Sequence, residues 1–410
     1  MGVCPNDQAR MSECLDVLET RQRMRYGSAM PTELKGAPLP GGRIRAIDWL
    51  RGLSVLFMIE CHTLWFLTPS LEYTPRWIWI QNLNGLVSAA FLFASGFAGG
   101  LVGSRAAGDR AARIRRGKRT FARLGEVVAL AAYFHLACFP VFTHPATWLR
   151  VDILTCIAFG VVAVWGAVAA CRGKIPLTVG VLLALAAAIV TLTPWASRYR
   201  GGEVLTGWLN ASNGSMFPLF PWLLYPLLGA VMGIAAGHPQ RGRARLLGAL
   251  AAMFLIGGTL SLSTWGEQFW TRFPADGGIF WVRNAFERLW KLGLLCMVLA
   301  TLEMLAAPMS HWSWTRVFRP VETVANFFSR YALPAYFVHL ALIYGFLGLQ
   351  FTRQWHRQST WRQYTWRMLL VVIGTAAICH LLHLARRTIT DALRALTAEP
   401  PPPHLAADAA

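Results

Sequence analysis

A 410-residue chain that is 55% hydrophobic and only 14% charged, with 18 Trp and a mean hydropathy of +0.41, is too apolar for a soluble globular protein of its size. Its formal charge of +19, from 39 Lys and Arg against 20 Asp and Glu, raises nucleic acid as a partner. The basic residues, however, sit in loops between apolar runs, the imprint of membrane insertion. We therefore expect no nucleic-acid partner but an all-α polytopic membrane protein, with anionic headgroups of membrane lipids as the counter-charge.

Residues 1–42 are polar, carry Arg21, Arg23 and Arg25, and end in the breaker run from Gly36 to Gly42, which predicts a mobile cytoplasmic leader with no cleavable signal peptide. Apolar runs long enough to span a bilayer follow at 46–67, 83–103, 121–142, 151–171, 176–194, 217–237, 246–264, 286–307, 330–350 and 367–385. The expectation is a bundle of about ten transmembrane helices in one membrane domain over 43–385. A cytoplasmic tail over 386–410, with prolines from Pro400 to Pro403, is expected to be disordered.

Placing the N-terminus in the cytoplasm of an inner-membrane protein puts inside the loop 104–120 with seven basic residues, the loop holding Arg241, Arg243 and Arg245, and the tail residues Arg386, Arg387 and Arg394. Both termini are then cytoplasmic. Arg353, Arg357 and Arg362 fall outside and count against this arrangement; an extra or missing helix near the C-terminus would account for them. The loops 68–82, 195–216 and 265–285 carry Trp79, Trp208, Trp265 and Trp270, read first as an interfacial aromatic belt and second as a platform for a sugar ring. Asn210-Ala-Ser and Asn213-Gly-Ser are formal glycosylation sequons. Eight scattered cysteines without a CxxC pair read as small buried hydrophobes, and with ten dispersed histidines they give no metal site.

Chemistry concentrates in the first apolar run. Ionisable side chains inside a membrane span are costly and generally face the bundle interior. Arg51 and His62 are eleven residues apart. That is three helical turns plus about 20°, so they share a face and are separated by about 16 Å along the axis. Asp48, one turn before Arg51, can pair with it, whereas Glu60 points nearly the opposite way. A cation near the inner mouth suits the phosphates of a cytosolic acyl donor, and a deep imidazole suits general-base work on a hydroxyl or amine. An interfacial ion pair and a histidine bonded to a neighbouring helix are the structural alternatives.

Four later positions are weaker substrate-binding candidates. Tyr336 and His339, three apart, can face one cavity, or His339 can bond between helices. Asp152 opens a helix, so capping is its first reading and acceptor binding its second. Trp222 lies among Pro218, Pro221 and Pro226, which predict a broken helix of the kind tolerated where it borders a cavity. Glu287 and Lys291 form an i,i+4 pair expected to neutralise one another.

Arg43 to Leu53, with Asp48, Arg51, Met58 and His62, resembles the opening helix of the transmembrane acyltransferase superfamily, which includes the heparan-alpha-glucosaminide N-acetyltransferase-like proteins and the acyltransferase-3 O-acetyltransferases. Phe91-Leu-Phe-Ala-Ser-Gly96, Phe217-Pro-Leu-Phe-Pro-Trp-Leu223 and Leu333-Pro-Ala-Tyr-Phe-Val-His339 resemble the former branch, so the resemblance spans 43 to about 345. It implies transfer of an acyl group, typically acetyl from acetyl-CoA, to a hydroxyl or amine of a glycan or similar acceptor across the membrane. It also implies catalytic roles for Arg51 and His62, the signature pair of the acyltransferase-3 branch. The lysosomal enzyme resembles this chain around Asn84-Gly85-Leu86 but places its active histidine just before that stretch, and no His lies between Thr63 and Asn84 here. Either His62 carries the role or the mechanism is not shared.

A transporter or flippase for a lipid-linked or sugar intermediate is the competing reading, since polar lines and broken helices also mark permeation paths. The second half of the chain holds no counterpart of Asp48, Arg51 and His62, which favours the enzyme. A second copy of the chain as partner is left open.

Overall fold

The computed structural model describes residues 44–138, 150–211, 214–237, 285–306, 312–345 and 350–397, together with the isolated positions 249, 252 and 256. The leader expected at 1–42, the part of the expected tail beyond 397, the rest of the run 246–264, the loop residues Trp265 and Trp270, the basic positions 241–245 and the Asn213 sequon lie outside these residues.

The described chain is all-α: helix α1 (Arg45–Thr63), α2 (Pro75–Asn84), α3 (Val87–Arg105), α4 (Arg110–Cys138), α5 (Ile153–Ala170), α6 (Ile175–Arg198), α7 (Glu203–Leu209), α8 (Leu219–Trp222), α9 (Leu224–Ala236), α10 (Ala285–Ala306), α11 (Trp312–Arg330), α12 (Ala332–Tyr344) and α13 (Trp361–Thr397). Among the described residues, five helical stretches are long and apolar enough to cross a bilayer: Pro75–Arg105, Ile153–Ala170, Ile175–Arg198, Leu219–Ala236 and Trp361–Ala392. The polypeptide is an integral membrane protein of the all-α class.

Several helix limits depart from the hydropathy runs, for local reasons. Helix α4 starts at Arg110, well before the expected 121, because the Asp109 carboxylate accepts from the Ala111 N–H at 2.8 Å and caps a stretch of good helix formers. The long α13 likewise extends past the run 367–385 at both ends, so residues 386–397 of the tail, expected to be disordered, are helical. Conversely, α12 stops at Tyr344, short of 350, because Gly345 takes a left-handed conformation at φ 71°. The expected break around Trp222 is present: Phe220 and Pro221 leave helical geometry between α8 and α9, and the Phe220–Pro221 bond is cis.

Among the described residues, the most extensively packed helix pair is α3 with α9. Gly96 and Gly100 on α3 face the Pro226 and Ala230 carbonyls of α9, and Gly229 and Gly233 on α9 face the Phe93 and Phe97 carbonyls of α3. A Cβ at any of these four positions would overlap backbone. Two small-xxx-small stripes thus let the backbones touch, which is how helices associate where lipid offers no hydrophobic driving force. Around this seam, Leu92, Phe93, Phe97, Cys156, Tyr225, Met232, Cys296 and Leu299 form a buried core.

Helix α1 packs against α3, α10, α11, α12 and α13. The stretch that follows it is tied to the start of α13: Ser359 donates to Phe66 O at 2.8 Å, and Thr68 donates to Ser359 O at 3.1 Å. Arg357, one of the arginines at odds with the expected topology, pairs with Glu72 at 3.5 Å and lies over the Trp65 ring. Between 350 and 361 the chain forms a short 3-10 turn, Gln350–Trp355, with no added helix.

Asn210 corrects the sequon reading. It is 2% exposed, and its side-chain amide donates to Ala196 O at 2.7 Å and to Tyr199 O at 3.0 Å. The nitrogen that would carry a glycan instead holds the end of α6 to α7. Of the described loop tryptophans, Trp79 is 70% exposed, whereas Trp208 packs on the Phe159 ring at 4.8 Å. Of the described cysteines, Cys156, Cys171, Cys296 and Cys379 are buried and Cys61 is half-buried, all as free thiols.

Candidate active site

The first helix gathers two polar clusters one above the other. At its start, Asp48 and Arg51 form an ion pair at 3.0 Å, one turn apart as the spacing requires. Arg51 also donates from two of its nitrogens to Ser329 Oγ of α11, at 3.1 and 2.8 Å. Asp48 is 7% exposed, while the Arg51 side chain keeps 32% of its surface open. A buried carboxylate orients the guanidinium, which stays partly exposed.

Three turns further on, His62 meets α12. Its Nδ1 lies 3.1 Å from the Tyr344 hydroxyl, and its ring is 5.2 Å from that of His339. Both Arg51 and His62 therefore turn toward the α11–α12 segment, as their eleven-residue spacing predicts. Glu60 points away to α13 and accepts from the Tyr364 hydroxyl at 2.7 Å.

His339 is fully buried, and its Nδ1 stands 2.7 Å from the Ala335 carbonyl one turn earlier. A carbonyl can only accept, so Nδ1 carries the hydrogen and Nε2 carries a lone pair. That Nε2 is buried and makes no hydrogen bond among the described residues. A buried imidazole acceptor without a donor is costly in a closed core, and it suits a place where a substrate N–H or O–H arrives. For His62, an Nδ1–H donating to the Tyr344 oxygen is the tautomer that leaves Nε2 able to accept a proton.

The remaining candidates extend this cluster inward. Tyr336 stands edge-on to His339 at 6.0 Å and packs against Phe134 of α4 at 6.2 Å. The next residue, His135, is 4% exposed and places Nε2 3.9 Å from Asp152 Oδ2. The other Asp152 oxygen accepts from the Thr155 N–H at 2.7 Å, so this carboxylate does cap α5, while its second oxygen faces the bundle interior. Trp222 is buried, stands 4.7 Å from the Phe217 ring, and lies under the Arg288 guanidinium at 3.9 Å. Tyr336 packs onto the core that contains Trp222 and Tyr225. His62, His339, Tyr336 and Asp152 thus fall along one polar and aromatic path from α1 through α12 and α4 to α5. Asp48 and Arg51 form a separate cluster.

Three residues here were not singled out in sequence: His135, Arg288 and Ser329. The signal for the first two was available, since each is an ionisable residue inside an apolar run. Ser329 carried none. Lys291 reaches the α2–α3 corner, where its Nζ would lie 3.2 Å from a Cβ on Gly85, while the Glu287 side chain lies outside the described residues. Among the described residues, no group of three or more His, Cys, Asp or Glu could hold a metal ion.

Helices of membrane length around the buried imidazole acceptor of His339 and the half-buried His62 define the class as an integral membrane protein with an interior polar site. Residues 43–265, over half of the chain, match the family model described as heparan-alpha-glucosaminide N-acetyltransferase, catalytic. The chain belongs to that family of transmembrane acetyltransferases. The match contains Asp48, Arg51, His62, Asp152 and Trp222, and ends before Tyr336 and His339. No curated protein matches the chain.

Proposed function

We propose that this protein moves an acetyl group from cytosolic acetyl-CoA to an amine or hydroxyl of a glycan-like acceptor on the opposite side of the membrane. The observation that carries the reading is the meeting of His62 with His339 and Tyr344, three turns along the helix from Arg51. In the proposed site, Arg51, oriented by Asp48, holds the donor's phosphates through charge-assisted hydrogen bonds. The separation of about 16 Å between Arg51 and His62 calls for a donor with a long arm between its phosphates and its thioester, which acyl-CoA supplies. His62 accepts the acceptor's proton as its oxygen or nitrogen bonds to the thioester carbonyl carbon. The C–S bond then breaks, and the thiolate takes a proton back from the imidazolium. Tyr336, His339, Asp152 and Trp222 orient the acceptor.

Detergent-purified protein supplied with acetyl-CoA and glucosamine is expected to release free CoA thiol and form N-acetylglucosamine in equal amounts. Transport of an acetylated or unmodified sugar across proteoliposomes without thiol release would overturn this reading in favour of a carrier.

The orientation proposed with it places both termini in the cytoplasm, as the basic start of α4 favours. A C-terminal alkaline phosphatase fusion should be inactive and a C-terminal fluorescent-protein fusion bright. An active phosphatase would reverse the donor and acceptor faces.

A further inference from the structure

Where α4 begins and α5 finishes, the two helices border a cleft of about 750 Å³. From α4 it takes Arg110, Arg113, Ile114, Gly117, Lys118 and Phe121, whose spacing of three and four residues is one helical face. From α5 and the turn after it come Trp165, Val168, Ala169 and Arg172. The floor is apolar, because Trp165 is 4% exposed and Val168 3%. Its rim is cationic.

Two features set this cleft apart from an ordinary basic loop. First, its cations are largely uncompensated among the described residues: no carboxylate pairs with Arg110, Lys118 or Arg172, and Arg113 donates to the Ala107 carbonyl and feels the Asp109 charge only at a distance. The nearby Asp109 is engaged elsewhere, capping α4 and standing 3.9 Å from Arg115. Second, Ile114 and Phe121 on the same face are 50% and 49% exposed. A site with four cations around the mouth and exposed apolar side chains beside them complements a ligand with a phosphate head and a hydrocarbon tail. Basic clefts between membrane helices commonly take such headgroups.

We infer that this cleft binds one anionic phospholipid, its phosphate held by Arg110, Arg113, Lys118 and Arg172 and its acyl chains lying over Ile114 and Phe121. The site lies on α4 and α5, while the donor site proposed above starts from Arg51 on α1, so the two ligands are not expected to compete.

The test is native mass spectrometry of delipidated protein titrated with dioleoylphosphatidylglycerol or dioleoylphosphatidylcholine. Wild type should retain one phosphatidylglycerol in preference to phosphatidylcholine. The triple variant Arg110→Ala/Lys118→Ala/Arg172→Ala should bind phosphatidylglycerol about tenfold more weakly or worse, since each cation near the membrane surface adds to the hold on an anionic headgroup. A control, Arg119→Ala/Arg123→Ala, removes two charges from the opposite face of the same helix and should keep wild-type retention. If the triple variant is not recovered folded, the exposed Lys118→Glu alone should lower retention in the same assay. Undiminished retention in these variants, equal loss in the control, or displacement of the lipid by CoA would each overturn the proposal, the last by making the cleft a nucleotide site.

Discussion

Replacing His62 by alanine is expected to lower acetyl transfer by about two to four orders of magnitude while leaving donor affinity nearly unchanged, the range that general-base catalysis contributes. The argument rests on position. His62 is the histidine of α1 that turns toward α12, where the Tyr344 hydroxyl at 3.1 Å fixes its ring and His339 stands beside it. The partner substitution should divide the other way. In Arg51→Ala, acetyl-CoA affinity falls and the chemical step changes less, with Arg51→Lys restoring affinity only in part, because an ammonium cannot reproduce the fork that meets Asp48 and Ser329. Single-turnover transfer and acetyl-CoA affinity, measured in parallel on folded variants, separate the two roles. Near-normal transfer by His62→Ala sinks the mechanism. Unchanged donor affinity in Arg51→Ala would leave that residue as the structural partner of Asp48 alone.

The second large effect is on stability, and it turns on one methyl group placed at two different glycines. At Gly100 a Cβ would run into the Ala230 carbonyl, forcing apart the α3–α9 seam. At Gly180, on α6, a Cβ meets nothing within 4 Å. Gly100→Ala should therefore destabilise the protein by about 1–3 kcal/mol or more, as overpacking does, and lower its thermal midpoint in detergent. Gly180→Ala should raise the midpoint, because alanine is favoured over glycine in a helix by roughly 0.5–1 kcal/mol. The same chemical change then has opposite signs. Equal midpoints for the two variants would mean that the α3–α9 seam is not a close backbone contact in the membrane.

Helical periodicity along α1 makes the Arg51 and His62 relation readable from the residue order alone, because an eleven-residue spacing leaves no freedom about which face two side chains share. The Asp48 pair and the Asp152 cap are legible for the same reason: each is satisfied within one turn of its own helix. The break at Trp222 follows from three prolines, whose missing N–H and fixed φ act locally. What the sequence could not determine was which helix meets which. Nothing local links Ser329 to Arg51, 278 residues away, or Tyr344 to His62, 282 residues away. Nor did hydropathy reveal that Asn210 is buried as a structural donor, that Arg357 finds Glu72, or that α4 and α5 border a cationic cleft. Those depend on the close approach allowed by Gly96, Gly100, Gly229 and Gly233 and on how the remaining helices lean around that seam. Intrahelical geometry is fixed by the chain's own period, whereas contacts between helices depend on steric fit across hundreds of residues, and only the tertiary structure decides them.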